Sequence, residues 1–395
     1  MKTIQPAVLI FLFFILSLVL HSHQASVGIH FTHEFISIAT IKHDMFFRIT
    51  TNGHDRVDTS IAIMENGEIM FGEQANLQHS NRVDQIRFLL EHKFDELPTD
   101  FIDDYPSKII QDHSGNPIVE LKFNNGSTEL LDPIEAFSIL VFEKLKESSE
   151  EFLKETVERM IISIPSQLSK QQRRKILDLA PKDLQVDLVD EESLAIKGYD
   201  LIPEENSKIL IMNWNSYELQ VGVWDFSNEK LKKLLEKSDP RIGWNEFDSL
   251  FERYWPGGID LKIDPKQLRC KLAKKQPVQI FDHETDLSNS KLLKEITLEE
   301  YIEVSSPLLD IFKQDLHKIM ESYPPSQIDH IILFNSTCSF PTISSIIEHQ
   351  FGKNILHSID DPILIGATKL SQFQNGNHFH APSTDYSNKH SHDEL

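Results

Sequence analysis

The sequence predicts an α/β protein made of two related lobes. Two strand–turn–strand segments begin about 182 residues apart, at Val27 and Ile209, and two units of strand, proline and helix begin about 171 residues apart, at Arg159 and His330. A plan that recurs in the same order at similar spacing indicates two halves built alike. Strands interleaved with helices favour an α/β architecture, which generally binds its ligand where the two halves meet.

Local signals mark the elements of the first half. VGIHFTHEFISIATI (27–41) has two apolar runs around a polar turn, which predicts a hairpin. RMIISIPSQLSKQQRRKILDLA (159–180) predicts a buried strand and then a helix, whose start is marked by a capping box of Ser169 and Gln172.

The second half repeats these elements with an unusual turn. ILIMNWNSYELQVGVWDF (209–226) predicts a second hairpin, yet its turn has no glycine and carries Trp214, Tyr217 and Glu218. HIILFNSTCSFPTISSIIEHQF (330–351) predicts the second strand–proline–helix unit.

Two further helices are predicted between these segments. Asp132, followed by proline and then by Glu135, predicts the start of a long helix that continues through Glu158. Thr297, with Glu300 three residues later, predicts the start of another.

Composition limits the classes of partner. The 395 residues include 40% hydrophobic residues and carry a formal net charge of −22. This content of apolar residues supports a substantial core, and the negative charge disfavours binding to nucleic acid and to anionic membranes.

The two ends predict passage into the endoplasmic reticulum (ER). The apolar run AVLIFLFFILSLVL is shorter than a membrane span and predicts a cleaved signal peptide over 1–25, with an uncleaved anchor as the alternative. The chain ends in HDEL, an ER retrieval signal, after a polar, His-rich segment. We therefore expect a protein of the ER lumen with no membrane contact after cleavage, and NGS and NST make Asn125 and Asn335 candidate glycosylation sites.

Several segments stand in a specific order along the chain: VGI (27–29), FGEQA (71–75), NRVDQIRFLLEHKF (81–94), ISIPSQLSKQQRRKILDLA (162–180), VDLVDEESLAIKGY (186–199) and DDPILIGATKL (360–370). In this order they resemble the ATPase domain of the heat-shock protein 70 (DnaK/BiP) family. The resemblance implies a two-lobed actin-like ATPase fold (ribonuclease H-like, duplicated) without the family's peptide-binding β-sandwich and lid. The implied boundaries are lobe I over 26–203, lobe II over 204–357, a closing helix over 358–373 that returns to lobe I, and a flexible His-rich tail over 374–395.

The resemblance also locates three glycine loops that bind nucleotide in the family. They correspond here to residues 30–34, 213–218 and 335–339, and none of them contains glycine. Glycine lets backbone N–H groups approach phosphate because it has no Cβ. The candidate nucleotide-binding positions are therefore degenerate: His30, Thr32, His33, Glu34, Asn213, Asn215, Ser216, Tyr217, Glu218, Lys274, Lys275, Asn335, Ser336 and Asp360.

Charge at these positions points the same way. His30 and Asn213 stand where the family has the aspartates of its magnesium site, and Glu34 and Glu218 stand where it places phosphate. Two like charges ~4 Å apart repel by roughly 4 kcal/mol at an effective dielectric constant of ~20. We expect no cofactor and no metal, or ATP and magnesium if the family activity is retained.

Some positions keep the family's charge. Arg87 corresponds to the catalytic lysine and Glu191 to the glutamate on the γ-phosphate side, so both are catalytic remnants. For Glu191 and Asp360 we favour solvated acids at loop ends, and for Lys274 and Lys275 a charged helix face.

The two cysteines allow two states. By the resemblance, Cys270 lies on the helix beside the adenosine and Cys338 in the facing loop. A disulfide and two buried free thiols both fit, and we expect free thiols.

Three functions follow from the resemblance. We expect a pseudo-ATPase that acts as a binding or regulatory module in ER folding and quality control, with luminal chaperones, co-chaperones and unfolded clients as partners. An active chaperone ATPase and a nucleotide-exchange partner of a luminal chaperone are the alternatives.

Overall fold

The computed structural model describes residues 24–254, 265–282, 291–335, 338, 341–357 and 361–372. The described residues up to Gly198 and from Ile363 onwards form one compact unit, and those from Tyr199 to Pro362 form a second. The predicted tail lies outside the described residues, as does the predicted signal segment except for Gln24 and Ala25, which begin the first strand. No helix in the described part of the chain is long and apolar enough to cross a membrane.

The first unit contains a central mixed sheet and two small antiparallel sheets. Its strands are β1 (Gln24–Phe31), β2 (Phe35–Lys42), β3 (Met45–Ile49), β4 (Val57–Asp58), β5 (Ile61–Ile63), β6 (Ile69–Phe71), β7 (Arg82–Val83), β8 (Lys108–Gln111), β9 (Pro117–Lys122), β10 (Thr128–Leu131), β11 (Thr156–Ile164) and β12 (Gln185–Asp190). Its helices are α1 (Glu73–Asn76), α2 (Ile86–Glu91), α3 (Thr99–Asp103), α4 (Pro133–Ser138), α5 (Lys146–Leu153), α6 (Lys170–Leu179), α7 (Glu191–Gly198) and a closing helix (Pro362–Ser371).

The second unit has a central sheet of the same plan. Its strands are β13 (Ser207–Trp214), β14 (Leu219–Ser227), β15 (Lys230–Asp239), β16 (Val278–Asp282), β17 (Lys291–Ile296), β18 (His330–Phe334) and β19 (Leu356–His357). Its helices are α8 (Trp244–Tyr254), α9 (Pro265–Ala273), α10 (Leu298–Val304), α11 (Ser306–Ser322) and α12 (Pro341–Phe351).

The two central sheets have the same strand order and direction. In the first, the order is β3-β2-β1-β11-β12, and in the second it is β15-β14-β13-β18-β19. In each, the first three strands are antiparallel neighbours and the last two join in parallel. The predicted duplication and the α/β fold class are thus confirmed, and both predicted hairpins form, as β1–β2 and β13–β14.

The helix that starts after Asp132 ends earlier than the sequence predicts. Asp132 caps α4, a π-helical stretch over Ile139–Leu145 follows, and α5 ends at Leu153. Lys154 then adopts a left-handed conformation, with φ of 57°, and Thr156 opens β11. The prediction that the helix reaches Glu158 is wrong, because the turn at Lys154 starts a β-strand rich in branched apolar residues.

The closing helix completes the first unit by close backbone packing on it. A Cβ added to Gly28 of β1 would lie 2.3 Å from the backbone nitrogen of Thr368. A Cβ added to Gly366 would lie 2.0 Å from the carbonyl oxygen of Leu194 in α7. Glycine is required at both positions, because any side chain would separate the helix from the sheet and from α7.

Candidate nucleotide site

Arg87, which the resemblance places at the position of a catalytic lysine, is hydrogen-bonded to other groups of its own unit. It lies on α2 with 2% of its surface exposed. Its Nη1 and Nη2 donate to the two carboxylate oxygens of Glu191, at 2.5 and 3.0 Å, and its Nε donates to Oε1 of Glu91 at 2.7 Å. Nη1 also donates to the carbonyl oxygen of Phe31 at 2.5 Å. The guanidinium therefore has a carboxylate on each of two edges.

Two histidines of the first hairpin complete this cluster. Nε2 of His33 lies 2.7 Å from Oε2 of Glu91, and Nε2 of His30 lies 3.5 Å from Oε1 of Glu191. All of these side chains are buried. We call Arg87, Glu91, Glu191, His30 and His33 the buried charge cluster.

The pKa values within the cluster follow from this pairing. Burial by itself raises the pKa of Glu191, but the charge of Arg87 and the neighbouring His30 overcome it and lower the pKa to about 2. Burial is likewise overcome at Glu91, where His33 and Arg87 hold the pKa well below its ordinary value. Both carboxyl groups are therefore ionised at neutral pH.

The turn of the first hairpin is closed on itself. The backbone N–H of Thr32 donates to the carbonyl oxygen of Phe35 at 2.9 Å, and the N–H of Phe35 donates to Oγ1 of Thr32 at 3.0 Å. Thr59 binds the carbonyl oxygens of His33 and Glu34, through Oγ1 and N–H respectively. Glu34 itself is half-buried.

In the second hairpin, one side chain takes the place of an anion. Oδ1 of Asn215 accepts hydrogen bonds from the backbone N–H groups of Tyr217 and Glu218, at 2.8 and 3.1 Å. Backbone amides in such a turn are the groups that bind phosphate when nothing else satisfies them. Here the hairpin's own amide side chain satisfies them.

The adjacent helix start is closed in the same way. The first two N–H groups of α8, from Trp244 and Asn245, donate to the carbonyl oxygens of Asn215 and Ser216 at 3.1 and 2.9 Å. This contact is tight, because a Cβ on Gly243 would lie 2.2 Å from the carbonyl carbon of Tyr217. A helix N-terminus is a general anion site only while its first N–H groups remain open.

A line of side-chain hydrogen bonds crosses the second sheet below the turn. Nδ2 of Asn335 donates to Oδ1 of Asn213 at 2.9 Å, and Nδ2 of Asn213 donates to Oε1 of Gln220 at 3.2 Å. Gln220 in turn donates to Glu218 at 2.5 Å, and the hydroxyl of Ser238 donates to the other oxygen of Glu218. The carboxylate of Glu218 is the final acceptor and so orients every amide in the line.

Indole rings fill the interior beneath this turn. Trp214 and Trp244 stack with ring centroids 4.7 Å apart, and both are buried. Nε1 of Trp214 donates to the carbonyl oxygen of Ile242 at 2.6 Å, and Nε1 of Trp244 donates to that of Trp214 at 3.0 Å. The guanidinium of Arg269 lies 4.6 Å from the ring of Trp244 and pairs with Asp248. These contacts fix the hairpin against α8 and α9.

A disulfide joins Cys270 and Cys338, with their Cα atoms 4.6 Å apart. The expectation of two free thiols is therefore wrong: the loop that follows β18 places Cys338 against α9, within the range that a disulfide requires. Lys274 and Lys275 are exposed in the turn that follows α9, and Lys275 has a left-handed backbone with φ of 57°. The expected charged helix face is therefore not formed, because α9 ends at Ala273.

Of the remaining candidate residues, one is buried and two lie outside the described part of the chain. Glu191 is buried in the charge cluster, so its interpretation as a solvated loop-end acid is wrong. Ser336 and Asp360 lie outside the described residues. Sequence reasoning missed Glu91, although its position four residues after Arg87 on one helix is a recognisable pairing signal.

In the two hairpin regions, groups of the chain itself occupy the polar groups described above. Carboxylates bind Arg87, and Oδ1 of Asn215 accepts from the N–H groups of Tyr217 and Glu218. Glu34 and Glu218 add negative charge beside the two turns. Among the described residues, no cluster of three or more His, Cys, Asp or Glu side chains is placed to hold a metal ion.

Comparison with known proteins gives one consistent answer. The family model described as "Hsp70 protein" matches residues 26–381. The chain is 22% identical over 346 residues to the chaperone protein dnaK of Emiliania huxleyi, covering 80% of this chain and 55% of the relative. It is 22% identical over 347 residues to the chaperone protein dnaK of Cyanidioschyzon merolae, covering 80% of this chain and 56% of that relative. The chain thus spans about half the length of these curated relatives.

Proposed function

The chain belongs to the Hsp70 protein family, whose ATPase domain has the actin-like fold. We propose that this member is a pseudo-ATPase. In this proposal it is a chaperone-like binding or regulatory module that does not bind or hydrolyse ATP. It acts in protein folding and quality control in the ER lumen.

The single observation that carries the proposal is the state of the second hairpin. Asn215 holds two turn amides, and the turn's own carbonyls hold the first two N–H groups of α8. A phosphate would have to displace all four hydrogen bonds and would then face Glu218. The phosphate would then satisfy the N–H donors, but Oδ1 of Asn215 and the carbonyl oxygens of Asn215 and Ser216 would lose theirs. Each hydrogen bond contributes about 1 kcal/mol, and a buried polar group left unsatisfied costs about 1–3 kcal/mol.

The buried charge cluster supports the same conclusion in the first unit. Arg87 could meet a phosphate only by leaving Glu91 and Glu191, which would leave two buried carboxylates with only a histidine beside each of them. Removing one member of a buried ion pair costs about 3–5 kcal/mol. The cation of this site therefore stabilises the fold and is not available to a ligand.

The proposed location rests on the N-terminal apolar run and HDEL, and the disulfide is consistent with it. Disulfides persist in oxidising compartments and are rare in the cytosol. We propose luminal chaperones, co-chaperones and unfolded clients as the partners, because relatives of this family are named as chaperones.

Titration of the purified protein with Mg-ATP tests the proposal. A ligand at 100 times its dissociation constant stabilises a protein by about 2.7 kcal/mol, so even ~10 μM affinity would raise the unfolding temperature clearly at ~1 mM ATP. We expect no heat of binding by calorimetry, no rise in unfolding temperature and no phosphate release, with an authentic ATP-binding protein as the positive control. Micromolar binding, or turnover that disappears in Arg87→Ala, would overturn the proposal.

A further inference from the structure

The two glycosylation sequons lie in very different surroundings. Asn125 is in the turn between β9 and β10, where residues 124–130 are all exposed. Its Oδ1 accepts a hydrogen bond from the N–H of Ser127 at 2.8 Å. Its Nδ2 donates to no group among the described residues. A Cβ added to the next residue, Gly126, would meet nothing within 4 Å, so the space around this turn is open.

Asn335 is held inward at the end of β18. It is half-buried, with φ of 56°, and its Nδ2 lies 2.9 Å from Oδ1 of Asn213, which is only 5% exposed. Three residues later, the disulfide from Cys338 to Cys270 fixes the same loop to α9. The nitrogen that would carry a sugar is thus directed at a buried partner.

We infer that the folded protein carries one N-linked glycan, on Asn125, and that Asn335 is an unmodified structural residue. This inference rests on the proposed passage through the ER. In the transfer, Nδ2 of Asn125 forms a bond to the anomeric carbon of an oligosaccharide carried on a lipid pyrophosphate. The bond from that carbon to the pyrophosphate oxygen breaks, the lipid pyrophosphate leaves with the electron pair, and the amide loses one proton.

A glycan on Asn335 is incompatible with the observed fold. A glycan on Nδ2 of Asn335 would have to occupy the space beside Asn213. That contact is one end of the hydrogen-bond line that leads through Gln220 to Glu218. Chains modified at Asn335 would therefore fail to close the loop and to form the disulfide.

Glycan mapping on protein from cells tests this inference. The full chain is expressed both with its own N-terminus and, from Gln24, behind the cleavable signal of an established secreted protein. The soluble protein that contains the Cys270–Cys338 bond is collected, and N-glycans are released enzymatically in heavy-oxygen water, which converts each modified asparagine to a labelled aspartate. We expect label at residue 125 alone, and one mobility step that disappears in both Asn125→Gln and Ser127→Ala.

Matched variants of the other sequon are the control. Asn335→Gln should keep the full mobility step. Label at residue 335 in the disulfide-bonded protein, two mobility steps, or no glycan behind the foreign signal would overturn the inference. A glycan that appears only behind the foreign signal would support this inference and would instead contradict the proposed ER location.

Discussion

The guanidinium of Arg87 is bound by two carboxylates and one carbonyl oxygen of its own unit. In an ion pair buried this deeply, each charge offsets the desolvation cost of the other. Removing one partner therefore destabilises the fold strongly. The pair between Arg174 and Asp178 is the opposite case, with both side chains exposed and 3.7 Å between them. Exposed pairs of this kind contribute little.

Replacing Glu191 with glutamine should separate these two cases. We expect Glu191→Gln to lower the free energy of unfolding of the first unit by about 3–5 kcal/mol, because Arg87 loses its two-oxygen partner. The control Asp178→Asn should change it by less than about 1 kcal/mol. Hydrogen exchange of first-unit amides, followed during a denaturant titration, measures the free energy of unfolding of both variants. All four tryptophans lie between residues 199 and 362, so their fluorescence reports on the second unit during the same denaturation.

Lowering the pH should weaken the stabilisation that the Arg87–Glu191 pair provides. The pKa of Glu191 is lowered to about 2 in the folded protein, against about 4.3 for an unperturbed glutamate. The stabilisation it provides is therefore complete above about pH 4.3 and is lost as the pH falls towards 2. We expect wild type to lose more stability than Glu191→Gln across this window. Equal loss in both proteins would show that Glu191 is not the group that titrates.

Among single residues, local signals were predictable and long-range ones were not. Ser169 with Gln172 and Thr297 with Glu300 form the predicted caps, because capping depends on residues three apart. The binding of turn amides by Asn215 could not be predicted, since it depends on the conformation that the turn adopts once glycine is absent.

At the scale of elements, the disulfide ties α9 to the loop after β18. Periodicity and turn residues predicted both hairpins and both strand–helix units, because these signals lie within a few residues of each other. The pairing of the cysteines depends on how α9 packs against that loop, and no local pattern encodes it. The early end of α5 was also missed, because Lys154 adopts the left-handed conformation that glycine usually marks.

Removing the disulfide should destabilise the second unit. The bond closes a loop of 68 residues, for which chain entropy gives roughly 4 kcal/mol. We expect the double variant Cys270→Ser, Cys338→Ser to lose about this much in denaturant titrations followed by tryptophan fluorescence. Wild type treated with reductant should match the variant, and the variant should not respond to reductant. A linked peptide from the non-reduced digest confirms the bond, whereas unchanged stability in the variant would contradict the expected contribution.

At the scale of the whole molecule, the proposed location depends on the last four residues. Deleting residues 392–395 should release the protein into the medium, because soluble luminal proteins without retrieval follow bulk flow. The amounts in medium and cells are compared by immunoblot, with a chain that ends in a scrambled tetrapeptide as the control. Continued retention of the truncated chain would point to an uncleaved anchor or to a tightly bound partner.

The closing helix has a consequence for how the chain is made. The first unit needs residues after Ile363, and the backbone of Thr368 packs directly on Gly28. A ribosome must therefore make roughly 170 further residues after Gly198 before this unit is complete, which takes on the order of 9–35 seconds at ~5–20 residues per second. During that interval, the surfaces of β1 and α7 that the closing helix covers in the folded protein stay exposed to solvent. Nascent chains of this protein thus depend on a helix made late in synthesis to cover surface that their first strand exposes.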